Sequence, residues 1–239
     1  MDLKGNMKAV VDAIRLRRSI REFTGEKIPT EDIELILDSA RYAPSPENIQ
    51  QFRMVVVRDS QETKDMLAKH CVKIAEFVFG MAPYETTGGR LFFLPDKNRP
   101  AVYERVKDGN LFSYPAKADT CIIICATESF HDAHMKYDNE FFGSVVAGMA
   151  IQNMWLTTHA LGYGAGYMAL PFYEPRVSEI VCDALGIPRS WTPLSMLCIG
   201  VPVARRMLGP SRFPLEGMAY AERWGNPYKR KAFKEEGDR

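Results

Sequence analysis

The stretch Arg17-Arg18-Ser19-Ile20-Arg21-Glu22-Phe23 places three guanidinium groups and one hydroxyl within five residues, where a segment with helical apolar spacing ends. Guanidinium groups stay charged, so such a cluster is unsuited to a hydrophobic core. Alternate residues of an extended segment point to one side, which lets Arg17, Ser19 and Arg21 converge on one ligand. Because guanidinium forks match phosphate oxygens, the stretch predicts an anion site. The alternative is a solvated helix terminus, where arginine is common.

A second polar cluster, Ala43-Pro44-Ser45-Pro46-Glu47-Asn48-Ile49-Gln50, lies between a predicted helix and a predicted strand at 52–57. The amide side chains of Asn48 and Gln50 both donate and accept hydrogen bonds, which suits the edge of a flat heteroaromatic ring. The alternative is a turn rich in proline and serine that only ends the helix. Taken with the arginine cluster, the loop predicts a bound phosphorylated cofactor.

Composition and charge narrow the class of protein. The chain has 239 residues, 46% of them hydrophobic, which is enough for one sizeable core. Because 31 Lys and Arg face 30 Asp and Glu, overall charge favours neither a nucleic-acid nor a membrane partner. The apolar runs are too short to cross a bilayer, and the first residues show no secretory signal. Five cysteines without a CxxC pair predict reduced thiols in a cytoplasmic protein.

Periodicity predicts an alternation of helices and strands. Helices are predicted over 7–17, from Thr30 as N-cap to residue 40, and over 61–79, 99–107, 138–161 and 175–186; strands are predicted over 52–57, 120–126, 163–169 and 194–201. Because no repeat or interdomain linker interrupts this order, we predict one α+β domain over 1–239. Within it, 80–118 is predicted to be a lid or excursion, and 203–239 a C-terminal extension. The helix over 138–161 is apolar on nearly all sides, so we expect it to be buried, in part in a subunit interface.

The order of these motifs resembles the FMN-dependent nitroreductase superfamily. Arg17-x-Ser19-x-Arg21, followed by Ala43-Pro44-Ser45-x-x-Asn48-x-Gln50 before a strand, is similar to its signature. The similarity continues in Leu161-Gly-Tyr-Gly-Ala-Gly-Tyr167, Leu185-Gly-Ile-Pro188, Leu197-Cys-Ile-Gly-Val-Pro202 and Ser211-Arg-Phe-Pro-Leu-Glu216. The resemblance implies an α+β nitroreductase-like fold with a central mixed β-sheet flanked by helices, in an intertwined homodimer.

The resemblance also implies a set of residues that bind FMN. These are Arg17, Arg18, Ser19, Arg21, Pro44, Ser45, Asn48, Gln50, Ala165, Gly166 and Arg212. Arg17, Ser19 and Arg212 would hold the phosphate and ribityl chain. Asn48 would bond the ribityl chain or the pyrimidine edge, and Pro44 and Ser45 would reach a flavin that is held mainly by the other subunit.

Two of these residues are implied to be catalytic. Arg21 would lie near the N1/O2 edge of the isoalloxazine, where its charge would stabilise the anion formed on reduction. The backbone of Ala165 and Gly166 would approach flavin N5, and we expect a side chain at Gly166 to block that approach. The flavin would carry the redox chemistry, while the protein positions and tunes it.

The resemblance implies an oxidoreductase that transfers hydride from NAD(P)H, through flavin N5, to a small aromatic or conjugated acceptor of nitroaromatic or quinone type. A specialised reductive dehalogenase, a flavin-consuming benzimidazole synthase and a flavin-binding protein without turnover are the alternatives. The aromatic residues of the 80–118 segment are candidates for substrate contact, with ordinary loop packing as the alternative. They are Phe92, Phe93, Tyr103 and Phe112.

Two other patterns carry no predicted chemistry. His131 and His134, with Asp132 and Asp138, could form half of a metal site, but a third ligand of suitable spacing is missing, so no metal is predicted. The glycines at 162, 164 and 166 follow a helix and enter a strand, the reverse of the order in a dinucleotide-binding fingerprint. The resemblance implies that NAD(P)H stacks on the flavin without a Rossmann domain.

Overall fold

The structure is a computed structural model that describes residues 3–80, 96–127, 139–204, 209 and 212–229. Its helices are α1 (Leu3–Leu16), α2 (Thr30–Arg41), α3 (Gln61–Gly80), α4 (Arg99–Lys107), α5 (Asn139–Ala160), α6 (Leu170–Tyr173) and α7 (Pro175–Leu185). Its strands are β1 (Phe52–Val57), β2 (Thr120–Ala126), β3 (Gly164–Met168) and β4 (Thr192–Gly200). Short 3₁₀ turns lie at Pro46–Asn48, Asp96–Asn98, Asn110–Phe112, Tyr114–Lys117 and Leu215–Gly217. The predicted α+β class is confirmed.

Helix ends follow local chemistry, with one correction. Helix α7 begins at a proline, and the Glu174 carboxylate accepts a hydrogen bond from the Val177 amide (2.8 Å) before Gly186 ends the helix with a left-handed φ of 64°. Thr30 was expected to cap α2, but the N-cap is Pro29 and no side chain caps that end. Thr30 is already the first helical residue, and its hydroxyl instead accepts a hydrogen bond from Arg58 (3.1 Å).

The four strands form one sheet in the order β1-β2-β4-β3. All three ladders are antiparallel, whereas a mixed sheet was expected. The only parallel pairing among the described residues is a single bridge between Ser19 and Ala165. Strands β1 and β2 are antiparallel because of the path between them. Helix α3 leads the chain away from Val57, and the turn Tyr114–Lys117, which packs on α3, leads into Cys121 at the same end of the sheet.

Both faces of the sheet are covered, which explains the continuous apolar run of β2. Ile122 and Ile124 face α2 and α5, whereas Cys121 and Ile123 face α3 and α7. All four side chains are fully buried, and burial of an isoleucine contributes roughly 1.5–3 kcal/mol. The sheet core therefore holds the helices in place on both sides of β3, the strand beside the candidate site.

Helix α5 is only partly buried within one chain. Ala147, Ala150 and Met154 are inside the core, while Met149 is 38% exposed. The prediction of burial is thus confirmed for the face of α5 that packs on the sheet. The other face is also apolar, and no element among the described residues covers it. Across those residues, no helix has the length and apolar character needed to cross a membrane.

Candidate functional site

The predicted anion segment leaves α1 and runs along the edge of β3. Ser19 bridges Ala165, and the Ile20 amide donates a hydrogen bond to the Ala165 carbonyl (2.9 Å). Two glycines let the segment come this close. A Cβ at Gly164 would lie 2.8 Å from Ile20 Cγ2, and one at Gly200 would lie 2.7 Å from the Phe23 ring. Gly164 in β3 and Gly200 in β4 therefore let the arginine segment pack against the sheet.

Arg17 lies at the centre of a group of positive charges. Its guanidinium stacks on Trp155, with Cζ 4.0 Å from the ring centroid. Its Nε and Nη1 atoms are buried, and among the described residues neither has a hydrogen-bond partner. Burial lowers the pKa of Arg17, and the neighbouring charges of Arg212 and Arg18 lower it further. Buried donors beside like charges are costly, and a bound anion would relieve both costs.

Arg18 is used differently from Arg17. Its Nη1 donates to the carbonyls of Arg15 (2.7 Å) and Arg17 (2.9 Å), next to the end of α1. It also lines a groove of about 640 Å³ between α1 and the end of α5. The alternation of the extended segment thus separates Arg18 from its neighbour, and its predicted contact with a cofactor stays a prediction.

Arg21 lies against a tyrosine that sequence reasoning did not select. Arg21 Cζ is 6.0 Å from the ring centroid of Tyr114, and the Tyr114 hydroxyl donates to the Tyr167 carbonyl (2.6 Å). Burial raises the pKa of Tyr114, Cys198 adds to the rise, and Arg21 opposes it. The phenol is therefore neutral at pH 7 and able to donate. The one signal in the sequence was its place a few residues before the buried strand β2.

A side chain at Gly166 would clash with groups of the chain itself. A Cβ at this position would lie 2.7 Å from the Ile20 carbonyl oxygen and 2.7 Å from Tyr114 Cε2. The expected approach of the Gly166 backbone to flavin N5 stays a prediction. The neighbouring Ala165 is buried, and its carbonyl is held by Ile20.

The loop from Pro44 to Gln50 satisfies its own polar groups. Ser45 Oγ accepts from the Gln50 amide (3.0 Å), and Gln50 Nε2 donates to Asn48 Oδ1 (3.0 Å) and to the Asn48 carbonyl (3.2 Å). Glu47, Asn48 and Gln50 all have left-handed φ values, of 51°, 59° and 53°. Each such residue costs on the order of 1 kcal/mol or more, and such strain is concentrated at functional sites.

Within one chain, the loop and the arginine segment lie at opposite corners of the sheet. Phe52, which follows the loop, is level with Thr192, whereas Ser19 is level with Ile199. Those levels are about 23 Å apart along the strands, and four strand intervals add about 19 Å across them. The two predicted halves of the site are therefore roughly 30 Å apart by the same geometry.

Apolar grooves and packed aromatics surround β3. A groove of about 590 Å³ borders Trp155, Tyr167, Phe172 and Tyr173, and the rings of Trp155 and Tyr167 stack at 6.4 Å. This surface offers flat apolar contact next to Arg17. Buried Ser195 also lines the groove, and within the described part of the chain its hydroxyl has no hydrogen-bond partner.

Two of the four predicted substrate contacts lie in the described residues, and their contact with a substrate stays a prediction. Tyr103 is buried in α4, and Phe112 stacks on Phe79 with centroids 5.5 Å apart, so packing accounts for both positions. Phe92, Phe93 and the 131–138 cluster fall outside the residues that the structure describes. Among those it does describe, no group of three or more His, Cys, Asp or Glu could hold a metal.

Known proteins share this arrangement of motifs and fold. The chain is 27% identical to FMN reductase (NAD(P)H) of Bacillus subtilis (strain 168) over 92% of this chain and 76% of that protein. It is 30% identical to 5,6-dimethylbenzimidazole synthase of Rhodospirillum rubrum over 78% of each. A candidate nitroreductase from Desulfovibrio desulfuricans, solved in complex with FMN, superposes with a TM-score of 0.62 at 25% identity over 90% of this chain and 97% of that one. The family model described as Nitroreductase family matches residues 14–201, and the chain therefore belongs to that family.

Proposed function

We propose that this chain is an FMN-dependent oxidoreductase that takes hydride from NAD(P)H and passes it to a small aromatic or conjugated acceptor of nitroaromatic or quinone type. The observation that carries the proposal is Arg17, whose buried Nε and Nη1 have no partner among the described residues while two further arginines crowd it. A phosphate would supply the missing acceptors and the missing negative charge. Family membership and the FMN-bound relative support FMN as the source of that phosphate.

The residues present fit FMN at both of its ends. Arg17, Ser19 and Arg212 would hold the phosphate and ribityl chain. Arg21 would meet the ring edge at which negative charge develops, and its buried Nε lacks a hydrogen-bond partner within the described part of the chain. The stacked aromatic surface of Trp155 and Tyr167 adds apolar contact beside Arg17.

The chain's own contribution is electrostatic and positional. FMN supplies the hydride chemistry when it is bound. Arg21 would place a fixed positive charge in a partly dehydrated site, where it stabilises developing negative charge more strongly than in water. The backbone of Ala165 and Gly166, which packs against Ile20 and Tyr114, would approach flavin N5.

We also infer that the site is completed by a second copy of the chain. The loop from Pro44 to Gln50 is too far from its own arginine segment for one FMN to contact both. Helix α1 presents an apolar face with Met7 64%, Val10 59% and Ile14 52% exposed, at helical spacing on one side. Exposed apolar faces of this kind are typical of interaction surfaces. Sedimentation of the intact chain is expected to give a dimer.

The phosphate contact can be tested with a ligand that lacks phosphate. Arg17→Gln is expected to weaken FMN binding at least tenfold, because a charge-assisted hydrogen bond contributes about 1.5–3 kcal/mol. Binding of riboflavin should change little, since it has no phosphate to lose. Quenching of flavin fluorescence measures both dissociation constants. Arg41→Gln, which alters an exposed arginine paired with Asp38 on α2, is the control. An equal loss for FMN and riboflavin, or no loss, would contradict the proposal.

A specialised oxygen-dependent reaction is the second candidate, because the chain is 30% identical to a 5,6-dimethylbenzimidazole synthase. The two functions differ in the fate of the flavin. Turnover with NAD(P)H and a quinone, with FMN recovered intact under anaerobic conditions, supports the reductase. Loss of FMN in air with formation of a benzimidazole supports the synthase. If neither NADH nor NADPH bleaches the bound flavin, a flavin-binding protein without turnover is favoured.

A further inference from the structure

Trp155 lies near the end of α5, at the corner where the arginine segment leaves α1. Its ring lies under the Arg17 guanidinium, with Arg17 Cζ 4.0 Å from the ring centroid. The ring also stacks on that of Tyr167 in β3, at an interplanar angle of 11° and a centroid distance of 6.4 Å. Trp155 therefore contacts both the edge of the sheet and the arginine segment.

The Trp155 ring is placed by stacking. Its indole Nε1 atom is buried and has no hydrogen-bond partner among the described residues, although a buried indole N–H usually has one. The backbone of Arg17 is fixed separately, because its amide donates to the Ala13 carbonyl in the last turn of α1 (3.1 Å). The ring therefore restrains the long side chain of Arg17 beyond a backbone that is already held.

This contact restrains the guanidinium without occupying its donors. An aromatic face attracts a cation through the quadrupole of the ring. Arg17 Nε and Nη1 stay buried and without a hydrogen-bond partner within the part of the chain that the structure describes. The ring also excludes water from one side of the charge, which strengthens the attraction of that charge for an anion. Arg17 is thus held in place with donors left for an anionic ligand.

We propose that Trp155 is a positioning residue, whose ring holds the Arg17 guanidinium at the phosphate end of the site and so makes the site selective for FMN over riboflavin. The inference rests on the proposed FMN-dependent function, in which Arg17 binds the phosphate. A guanidinium that is already placed loses little freedom when the ligand binds, whereas a mobile one must first be ordered. Trp155 thus raises the affinity only for the flavin that has a phosphate.

Trp155→Leu tests this role because it keeps an apolar side chain on α5 and removes the aromatic face. The dissociation constant for FMN is expected to rise about fivefold, within the cost of ordering one long side chain, while that for riboflavin should change less than about twofold. Trp155→Phe keeps a ring face and should restore most of the selectivity. An equal loss for FMN and riboflavin, or a loss in Trp155→Phe as large as in Trp155→Leu, would overturn the inference.

The matched control is Trp191→Leu. Trp191 also lies under an arginine, with Arg53 Cζ 5.0 Å from its ring centroid, but Arg53 belongs to β1, the strand farthest from β3 in the sheet. The ratio of the FMN and riboflavin dissociation constants should not change in this variant. A change of that ratio as large as in Trp155→Leu would show that the loss of any packed tryptophan disturbs phosphate binding, and would overturn the specific role of Trp155.

A double-mutant cycle tests the route through Arg17. In an Arg17→Gln background, Trp155→Leu is expected to leave the affinity for FMN unchanged, because the charge that the ring holds is gone. A further loss of the same size in that background would overturn the proposed route through Arg17.

A measurement without flavin keeps this inference distinct from the proposed function. In the full wild-type chain, nuclear Overhauser contacts are expected between the Arg17 Hδ protons and the Trp155 ring, assigned by their loss in Arg17→Gln. The absence of these contacts would overturn the positioning role, whatever the variants at Trp155 do to folding. Failure of wild type to bind FMN would instead overturn the proposed function, and the contacts would still decide whether Trp155 holds Arg17.

Discussion

The arginine segment beside β3 and the loop from Pro44 to Gln50 differ in what each leaves unsatisfied. In the first, backbone groups are paired with β3, but buried guanidinium atoms of Arg17 and Arg21 have no partner among the described residues. In the second, Ser45, Asn48 and Gln50 pair with one another, but the backbone is left-handed at three non-glycine positions. One region therefore has buried donors without a partner among the described residues, while the other stores conformational strain.

The difference suggests separate tasks for the two regions. A corner with unmet donors is prepared to bind an anion firmly, because binding supplies partners that the chain does not. A strained loop whose polar groups hydrogen-bond with one another has a fixed shape. Such a loop is suited to cover a ligand that other residues bind. Their separation of roughly 30 Å in one chain agrees with tasks performed for two different copies of the site.

The largest effect on stability is expected from adding a side chain where β3 packs against Tyr114. Gly166→Ala should lower the free energy of unfolding by about 2–3 kcal/mol, because the new Cβ would press on the Ile20 carbonyl as well as on the Tyr114 ring. Gly217→Ala is the control, since the nearest atom to its Cβ would be 3.9 Å away, and it should change stability by less than about 0.5 kcal/mol. Urea unfolding without FMN measures both. Equal stability of the two variants would show that β3 can shift to make room for the new Cβ and is not tightly packed against Ile20 and Tyr114.

A smaller effect is expected in the loop. Ser45→Ala removes the acceptor of the Gln50 amide and should destabilise the protein by about 1 kcal/mol. Ser39→Ala is a useful comparison, because the Ser39 hydroxyl bonds only a carbonyl of its own helix, that of Ile36, and alanine is the better helix former. That variant should be neutral or slightly stabilised in the same unfolding assay. A loss in Ser39→Ala as large as in Ser45→Ala would argue that the loop has no special shape to keep.

The sequence predicted most elements because their signals are local. Proline and glycine mark both ends of α7, and the β-branched runs of β1 and β2 have the lengths observed. What could not be predicted depends on contacts between distant residues. The antiparallel ladders follow from how the chain returns over α3. The hydrogen bond of the Tyr114 hydroxyl, for example, reaches the carbonyl of Tyr167 in β3, 53 positions later in the chain.

The candidate site shows the same division. Alternation along an extended segment predicted that Arg17, Ser19 and Arg21 converge on one ligand. In the structure the Arg17 guanidinium lies on Trp155 and that of Arg21 lies near Tyr114, so their joint contact with one ligand stays a prediction. Alternation alone did not show that Arg18 turns to the carbonyls at the end of α1, or that Gly166 is required by Tyr114 and Ile20. Both depend on the depth at which the segment lies against the sheet, and that depth is set by the packing of Ile20 and its neighbours.

The smallest effect, and the most direct test of the contrast between the two regions, concerns the stability of the flavin-free protein. Arg17→Met should raise the free energy of unfolding by about 0.5 kcal/mol, because it removes partnerless buried donors and the repulsion by Arg212 and Arg18 while keeping an apolar contact with Trp155. Arg41→Met, which breaks an exposed pair with Asp38, should lower it by a few tenths of a kcal/mol. Saturating FMN should reverse the order of wild type and Arg17→Met, since bound ligand stabilises the wild type more strongly. If Arg17→Met were less stable than wild type without FMN, the arginine segment would be a satisfied structural cluster and not an anion-binding site.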